Sequence, residues 1–240
     1  MTYLYQEGCR AADAFGKEEE MALDPRLTLA FELYESCLLG ADIGTDHAHL
    51  PIALLRAGRC RRMILTDISP DALQNARDNI ARAGLTDRVE FRLGDGLTPL
   101  GEACGMVSVL GMGGRTIQEM LLRAPSSLRG APLLLSAHTD LPLVRQAVME
   151  IGYRLVSETP CLDSGRYYLL LKAVPGREEL TPREIRLGKK LFSSASPVLL
   201  PYLAHRREVL EAKLAGLQKA SSPDEELMAE LEEDIACLRG

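Results

Sequence analysis

Long apolar runs are absent from this 240-residue sequence, and no stretch approaches the ~20 residues of a membrane-spanning helix. The first 20 residues have no apolar core and end in Lys17-Glu18-Glu19-Glu20, which is not the pattern of a signal peptide. The six cysteines are scattered without a C-x-x-C pair, which favours free thiols in a reducing compartment. We therefore expect a cytoplasmic protein with no membrane partner.

An excess of basic residues is also absent, since the net charge is -6 at pH 7. This argues weakly against a protein coated in nucleic acid, although a local basic face remains compatible with it. The candidate basic face is a cluster of four arginines, Arg56, Arg59, Arg61 and Arg62. Its alternative is a solvated helix end and loop. The four histidines share no ligand spacing with the cysteines, so we predict no metal site.

The chain is organised around residues 38–51, which read LLGADIGTDHAHLP. An apolar run that ends at Asp42, followed by Gly44 and an amphipathic stretch, predicts a buried strand, a tight turn and a helix start. Gly44 lets the backbone approach a ligand, and Asp42 ends its strand where open α/β sheets bind ligands. The alternative is an ordinary strand-to-helix turn capped by Thr45 or Asp46.

The residues around Gly44 also indicate which cofactor this turn accepts. A dinucleotide site requires G-x-G-x-x-G, and the second and third glycines are missing here, which argues against an NAD dehydrogenase. Acidic residues instead lie on both sides of the glycine, at Asp42 and Asp46. A turn lined by carboxylates suits a cation, and S-adenosylmethionine carries both a sulfonium and an α-ammonium group. We therefore predict S-adenosylmethionine as the cofactor.

Two further strand ends carry acids. Asp67 closes the run 62–67 about 25 residues after Asp42, near the ~20-residue step that leads to the ribose-binding acid of a Rossmann unit. Asp95 lies between two glycines after the run 89–93, where its carboxylate could reach an adenine amino group. The alternatives are a surface loop acid for Asp67 and a plain turn for Asp95.

A glycine-rich segment, Gly111-Met112-Gly113-Gly114, follows the apolar run 106–110. Each glycine adds chain entropy that folding must overcome, so three at one strand end indicate more than packing. We interpret the segment as a floor where the methyl group of the cofactor and the substrate meet. The alternative is a tight β-to-α turn.

The complete pattern predicts an α/β fold, the class I (Rossmann-like) methyltransferase architecture with a seven-stranded, mostly parallel sheet. A helix from Asp24 to about Cys37 precedes the first strand, and the last two strands form a hairpin. The composition changes at 175–176, after which leucines recur at helical spacing and predict an antiparallel coiled-coil hairpin over about 203–217 and 224–238. The expected divisions are an N-terminal extension (1–20, disordered), a cofactor-binding domain (21–175) and a helical domain (176–240).

The motifs DIGTDHAHLP (42–51), Gly94-Asp95-Gly96-Leu97 and Gly111-Met112-Gly113-Gly114 resemble those of the bacterial TrmK family. The resemblance covers about 23–173, and the helical tail fits as well. It implies S-adenosylmethionine-dependent methylation of N1 of adenine 22 in tRNA. The cofactor contacts that we predict on this basis are Asp42, Gly44, Asp46, His47, Asp67, Ile68, Asp95, Gly96, Gly111, Met112 and Gly113. The chain departs from the family at Ser136-Ala137-His138, where the family usually has Gln-Pro-Asn.

The chemistry implied is direct in-line transfer, because N1 of adenine has a free lone pair at neutral pH. The main contribution of the protein is then alignment, after a paired or stacked base has been extruded. The candidate catalytic residues are Asp42, Asp46 and His138. The candidate tRNA phosphate contacts are Arg56, Arg59, Arg61, Arg62 and Arg145. The helical tail is expected to help hold the tRNA.

Two other functions remain open on the sequence. One is methyl transfer to a small molecule or a protein, favoured if the tail is a dimer seam and no basic face surrounds the pocket. The other is a catalytically silent RNA-binding protein that keeps the fold but binds no cofactor. For the assembly we expect a monomer or a weak dimer.

Overall fold

The computed structural model describes residues 23–220, 222 and 224–239. The predicted extension over 1–20 lies outside the described residues. Seven strands form one sheet with the spatial order β3-β2-β1-β4-β5-β7-β6. The strands are β1 (Cys37–Ile43), β2 (Cys60–Asp67), β3 (Val89–Leu93), β4 (Met106–Met112), β5 (Leu133–Ala137), β6 (Tyr153–Asp163) and β7 (Arg166–Pro175).

The first five strands run parallel, whereas β7 is antiparallel to both β5 and β6. The predicted seven-stranded, mostly parallel sheet with a terminal hairpin is therefore confirmed. The helices of the described chain are α1 (Pro25–Leu33), α2 (His49–Arg56), α3 (Pro70–Arg82), α4 (Gly114–Arg123), α5 (Leu141–Glu150), α6 (Pro182–Leu187), α7 (Leu199–Gln218) and α8 (Glu225–Cys237).

Apolar clusters cover both faces of the sheet. Successive residues of a strand point to opposite faces, and in β2 Met63 and Leu65 pack with α1, α2 and α3, while Ile64 packs on the side of α4 and α5. All five residues of β5 are buried. Helices on both faces explain why these strands read as continuous apolar runs.

Helix α1 is shorter than predicted. Asp24 is its N-cap, as its side chain accepts a hydrogen bond from Leu27 N at 2.7 Å. The helix ends at Leu33 and not near Cys37, because Cys37 pairs with Cys60 in the sheet. Only residues 34–36 join α1 to β1, and the helix packs against α2 and against β6 and β7 of the sheet. Its first turn lies beside the residues that follow β1, at the carboxyl edge of the sheet.

The tail forms the predicted helical hairpin from α7 and α8. The two helices are antiparallel, with Arg239 Nη2 3.0 Å from Glu211 Oε1. The hairpin does not stand alone, because Arg186 at the end of α6 holds Asp234 of α8 through two hydrogen bonds of 2.7 and 2.9 Å. Tyr202 of α7 is buried in the same apolar cluster as β4 and β5. The tail and the sheet thus share one core.

The junction between sheet and tail is built on a buried ion pair. Arg145 Nε of α5 lies 2.7 Å from Glu158 Oε1 of β6, and both side chains are at most 1% exposed. The guanidinium also donates to the carbonyls of Ile185 and Arg186, and Glu158 accepts from Lys190 N at 2.9 Å. The prediction of Arg145 as a tRNA phosphate contact is therefore wrong, because every polar direction of this side chain points into protein.

Over residues 23–220, 222 and 224–239, no helix combines the length and the apolar character that spanning a bilayer requires.

Candidate active site

The candidate site lies at the carboxyl edge of the sheet, where β1 is flanked by β2 on one side and by β4 on the other. From β1 the chain continues to β2 and β3 on one side of the sheet, and then returns to β4 and β5 on the other side. Open α/β sheets bind ligands in the crevice that forms where the strand order reverses in this way. A cavity of about 510 Å³ lies in this crevice, and its size is typical of small-molecule sites. Its walls consist of Asp24, Arg26, Leu27, residues 42–51, Leu110, Gly111, His138 and Tyr168.

The turn after β1 is built as the sequence predicts. Gly44 has φ +74°, and the N–H groups of Gly44 and Thr45 both donate to the carbonyl of Thr66 at 2.8 and 3.1 Å. The ordinary alternative, a cap by Thr45 or Asp46, does not occur. The N-cap of α2 is Ala48 at φ 56°, and no side chain caps the helix. The first turn of α2 therefore presents backbone N–H groups at the cavity wall.

Asp42 is held rigidly at the end of β1. Its carboxylate accepts hydrogen bonds from Ser108 Oγ at 2.6 Å and from Thr45 Oγ1. Burial raises the pKa of Asp42, and the two hydroxyl bonds oppose that rise by stabilising the charged form. The arrangement leaves a poorly solvated carboxylate beside the cavity, which suits it to a cationic ligand. Ser108 was not predicted, because a serine inside an apolar strand carries no signal of its own.

Asp46 and His47 lie on the more open side of the same turn. Asp46 Oδ1 accepts from Asn75 Nδ2 of α3 at 3.2 Å, and Asp46 Oδ2 lies 3.2 Å from His47 Nε2. Asn79 Nδ2 donates to the carbonyl of His47 at 2.9 Å. Both side chains remain more than half exposed. Helix α3 thus fixes the backbone of the turn, while the Asp46 carboxylate stays accessible to a ligand.

The acids at the ends of β2 and β3 lie side by side, but outside the cavity wall. Asp67 accepts from Ser69 N at 2.7 Å, and its carbonyl accepts from Gly94 N at 3.0 Å. Asp95 is ion-paired with Arg123. Ile68 is 70% exposed beside them. The predicted cofactor contacts Asp67, Ile68 and Asp95 thus form an open surface next to the cavity, which we call the shelf.

Gly96, also a predicted contact, contributes to packing at this shelf. Its φ is +57°, and a Cβ there would lie 2.6 Å from Met120 Cγ of α4. Its carbonyl accepts from Thr66 Oγ1 at 3.3 Å. The residue therefore ties the shelf to β2, and its contact with the cofactor stays a prediction.

The glycine-rich segment has a divided role. Gly111, at φ +78°, lines the cavity, and the Met112 side chain lies over Gly44, where a Cβ would overlap its Cε. Gly113 is the N-cap of α4. A Cβ on Gly114 would collide with backbone carbonyls of residues 139 and 140. Gly111 of the predicted floor therefore lines the cavity, whereas Gly114 lets α4 approach the loop after β5.

The wall opposite the turn includes Arg26 and Tyr168, which were not predicted as site residues. Arg26 of α1 lies over the ring of Tyr168, with its Cζ 5.2 Å from the ring centroid. His138, predicted as a catalytic candidate, lies edge-on to the same ring with a centroid distance of 5.8 Å. Asp24 completes this wall. The connection between α1 and β1 was the available signal, because a short link returns the start of α1 to this edge.

His49 was also missed, since histidine at the first turn of a helix is common in surface positions. It lines the cavity on the side of the turn. Burial lowers the pKa of His49, and neighbouring His47 lowers it further. The imidazole is therefore neutral near pH 7 and can accept a hydrogen bond.

The arginine cluster lies at the opposite edge of the sheet. Arg56 ends α2, and Arg61 and Arg62 are exposed at the start of β2. Strand β1 has seven residues, and at about 3.3 Å per residue such a strand separates the two edges by ~20 Å. These side chains therefore do not surround the cavity mouth, which corrects the interpretation as contacts near the pocket.

Arg59 has a structural role at that edge. Its Nη1 donates to the carbonyls of Phe31, Glu32 and Tyr34, and its guanidinium lies over the Phe31 ring at 4.9 Å. It anchors the end of α1 on the sheet. Among the described residues, no group of three or more His, Cys, Asp or Glu side chains could hold a metal ion.

Comparison with known proteins gives consistent matches. A family model described as "Methyltransferase domain" matches residues 23–171. The tRNA (adenine(22)-N(1))-methyltransferase of Bacillus subtilis (strain 168) is 27% identical over 197 residues, 81% of this chain and 80% of that protein.

Two solved structures are similar over most of their length. Sp1610 of Streptococcus pneumoniae, in complex with S-adenosyl-L-methionine, has a TM-score of 0.76 and 26% identity, covering 88% of this chain and 98% of that one. TrmK of M. capricolum, in complex with S-adenosyl-homocysteine, has a TM-score of 0.76 and 25% identity, covering 90% and 96%. The predicted resemblance to the TrmK family is thereby confirmed.

Proposed function

The chain belongs to the methyltransferase domain family, and from this premise we propose that it methylates N1 of adenine 22 in tRNA with S-adenosylmethionine. The observation that carries the proposal is the turn after β1, where Asp42 and Asp46 flank Gly44 at the cavity. The relatives that share this fold over most of their length include complexes with S-adenosylmethionine and its demethylated product.

The donor set of the site fits this cofactor. S-Adenosylmethionine supplies an electrophilic methyl group on a positively charged sulfur when it is bound. Asp42 and Asp46 provide the negative charge that its two cationic groups require, and Asp67 and Asp95 on the shelf provide acceptors for ribose hydroxyls and an adenine amino group. Gly44 and Gly111 keep the cavity free of side chains between these groups.

The acceptor base needs alignment and charge stabilisation from the protein. N1 of adenine attacks with its own lone pair, so no residue has to remove a proton first. The methylated ring is cationic, and the carboxylates of Asp42 and Asp46 stabilise that charge as it develops. His49, neutral near pH 7, can accept a hydrogen bond from the amino group of the substrate adenine, and the exposed ring of His138 can stack on that base.

The tail is our candidate for holding the tRNA. A second cavity of about 350 Å³ lies between the loop after β5 and the hairpin of α7 and α8, and His138 lines both cavities. Arg206 and Lys213 of α7 face this second cavity. They take the place of the arginine cluster as proposed phosphate contacts, because they line the cavity that shares His138 with the candidate site.

The test is methylation of two transcripts that differ only at position 22. The purified protein and labelled S-adenosylmethionine are incubated with a tRNA that has adenine 22 and with the same tRNA carrying guanine 22, followed by nucleoside analysis. We expect 1-methyladenosine only from the first transcript. Label in both would move the acceptor to another position.

Two negative results would favour the other functions. Cofactor binding without RNA methylation would favour a small-molecule or protein acceptor, for which the position of the arginine cluster away from the cavity mouth is the supporting observation. Absence of cofactor binding would favour a silent RNA-binding protein. The cytoplasmic location and the monomeric or weakly dimeric state stay predictions. We predict the location because tRNA is the proposed substrate.

A further inference from the structure

Two cysteines lie side by side at the edge of the sheet opposite the cavity. Cys37 begins β1 and Cys60 begins β2, and the two residues are partners in the parallel register of these strands. Both are free thiols, and their Sγ atoms are 3.4 Å apart. The sulfurs are therefore in contact but not bonded.

The backbone holds these thiols at a separation that suits a disulfide. Registered partners on neighbouring strands are about 4.8 Å apart, and disulfides span Cα separations of about 4.4–6.8 Å. Cys37 N donates to the Arg59 carbonyl at 2.8 Å, and Arg88 Nη2 donates to the Cys60 carbonyl at 2.7 Å, so both strand starts are anchored. A bond between the sulfurs thus requires rotation of two side chains and no movement of the strands.

Glycines leave room for the two sulfur atoms. A Cβ at Gly40 would lie 3.1 Å from Cys60 Sγ, and a Cβ at Gly105 would lie 2.4 Å from Cys37 Cβ. A larger residue at either position would press on the cysteine side chains. The two glycines therefore keep open the space in which those side chains can turn.

The two thiols differ in their access to solvent. Cys60 is fully buried, whereas Cys37 is partly exposed. Contact with the Cys60 thiol lowers the pKa of Cys37 against the opposing effect of burial, and the same contact, together with burial, raises the pKa of Cys60. The thiolate is the form that reacts with an oxidant. Cys37 is therefore the thiol that an oxidant in solution meets, and Cys60 keeps its proton beside it.

We propose that Cys37 and Cys60 form an oxidation site, at which hydrogen peroxide converts the two thiols into a reversible disulfide. The Cys37 thiolate attacks one peroxide oxygen, which breaks the O–O bond, gives a sulfenic acid and releases hydroxide; the hydroxide takes up the Cys37 proton and leaves as water. The Cys60 sulfur then attacks the sulfenic sulfur, the S–S bond forms, and the displaced hydroxide leaves with the Cys60 proton as a second water.

In this reaction Cys60 is the resolving thiol. It removes the sulfenic acid of Cys37 before a second peroxide can oxidise it irreversibly to the sulfinic acid, and a dithiol reductant restores both thiols. The pair lies at the edge away from the cavity, so the inference is independent of the cofactor and of the RNA substrate proposed above.

The experiment treats the native, reduced protein with hydrogen peroxide, blocks the remaining thiols with N-ethylmaleimide in denaturant, and identifies the tryptic peptides by mass spectrometry. Because trypsin cuts after arginine, the expected product is residues 27–56 joined to residues 60–61. Its mass should be about 2 Da below the sum of the two reduced peptides, because two hydrogens are lost. Dithiothreitol should abolish this product.

Two variants test the roles of the thiols. In Cys60→Ala the linked product should be lost, and Cys37 should instead reach the sulfinic acid, which is about 32 Da heavier than the thiol. Cys161→Ala is the matched control, because Cys161 is also a buried cysteine on a strand, and its removal should leave the yield of the linked product unchanged. Thermal melts of both variants check that the fold is retained.

Two results would overturn the proposal, and both are read from the wild-type protein. Oxidation of the exposed Cys237 without any link between Cys37 and Cys60 would show that the oxidant is active and that the pair does not react. A link that forms only when denaturant is present during the peroxide treatment would assign the reaction to the unfolded chain.

Discussion

Arg145 and Arg26 differ in almost every respect except residue type. Arg145, at the junction between sheet and tail, is 1% exposed and bonded to Glu158 and two carbonyls. Arg26, at the cavity, is half-buried with an Nε that no described residue accepts from. The junction satisfies its own polar groups, whereas the cavity leaves them for a ligand.

This difference separates structural from functional charge in the molecule. A charge with complete protein partners can be removed only at the expense of the fold, and a charge without partners can be removed at the expense of binding. Arg59, which anchors α1, is a structural charge in this sense, whereas Arg62 is exposed at the edge of the sheet away from the cavity and serves neither purpose.

Breaking the junction should produce the largest effect on stability. Arg145→Ala leaves Glu158 buried and unpaired, so the free energy of unfolding should fall by about 3–5 kcal/mol. Denaturant unfolding monitored by circular dichroism measures it. The control is the double variant Arg145→Met with Glu158→Leu, which removes both charges and should recover part of the loss. A loss below about 1 kcal/mol in the single variant would contradict the role given to the pair.

Gly44→Ala and Gly58→Ala compare two turns with similar backbones. Both glycines have positive φ, +74° and +68°, so each alanine should cost about 1–2 kcal/mol of stability. No described residue lies within 4 Å of a Cβ at Gly58, whereas a Cβ at Gly44 would displace Met112. Cofactor affinity should therefore fall at least about tenfold in Gly44→Ala alone. Equal affinities, measured by calorimetry, would remove the turn after β1 from the binding site.

Asp42→Asn should separate stability from binding. The raised pKa of Asp42 means that the folded state holds this proton more tightly than the unfolded chain does, so ionisation destabilises the fold as the pH rises. Without cofactor, the variant should be more stable than the wild type at pH 7. That advantage should vanish below about pH 4, where the carboxyl is protonated in both states.

The same variant should bind S-adenosylhomocysteine about tenfold more weakly or worse, because it lacks the negative charge. Unfolding curves from about pH 3 to pH 8 and calorimetry measure the two effects. A stability difference that does not depend on pH would show that burial of this charge has no energetic consequence.

The smallest effect on stability is expected at the edge of the sheet opposite the cavity, where the arginine cluster lies. Arg62→Ala should change the free energy of unfolding by less than about 0.5 kcal/mol. Arg59→Ala should lower it by about 1–2 kcal/mol, because the hydrogen bonds from Arg59 to three carbonyls are lost. Both should leave the KM for tRNA unchanged. A raised KM in Arg62→Ala would restore the cluster as an RNA contact.

The sequence predicts the sheet and the acid-lined turn because both depend on local patterns. Apolar runs that end in glycine and aspartate mark strand ends, and parallel strands bring those ends to one edge. The partner of Arg145 could not be predicted, because β6 meets α5 only in the folded chain. The position of the arginine cluster was predictable in principle, because the end of α2 and the start of β2 meet at the edge away from the site.

The junction also bears on how such a protein can be rearranged. The carbonyls of Ile185 and Arg186, which accept hydrogen bonds from Arg145, belong to α6 of the tail, whereas Arg145 belongs to α5, which packs on the sheet. A tail grafted from another protein would have to bring the same pair of carbonyls to the same place. The tail is therefore not an interchangeable module, and a chimera should be cut beyond Lys190, whose N–H donates to Glu158, and before the start of α7.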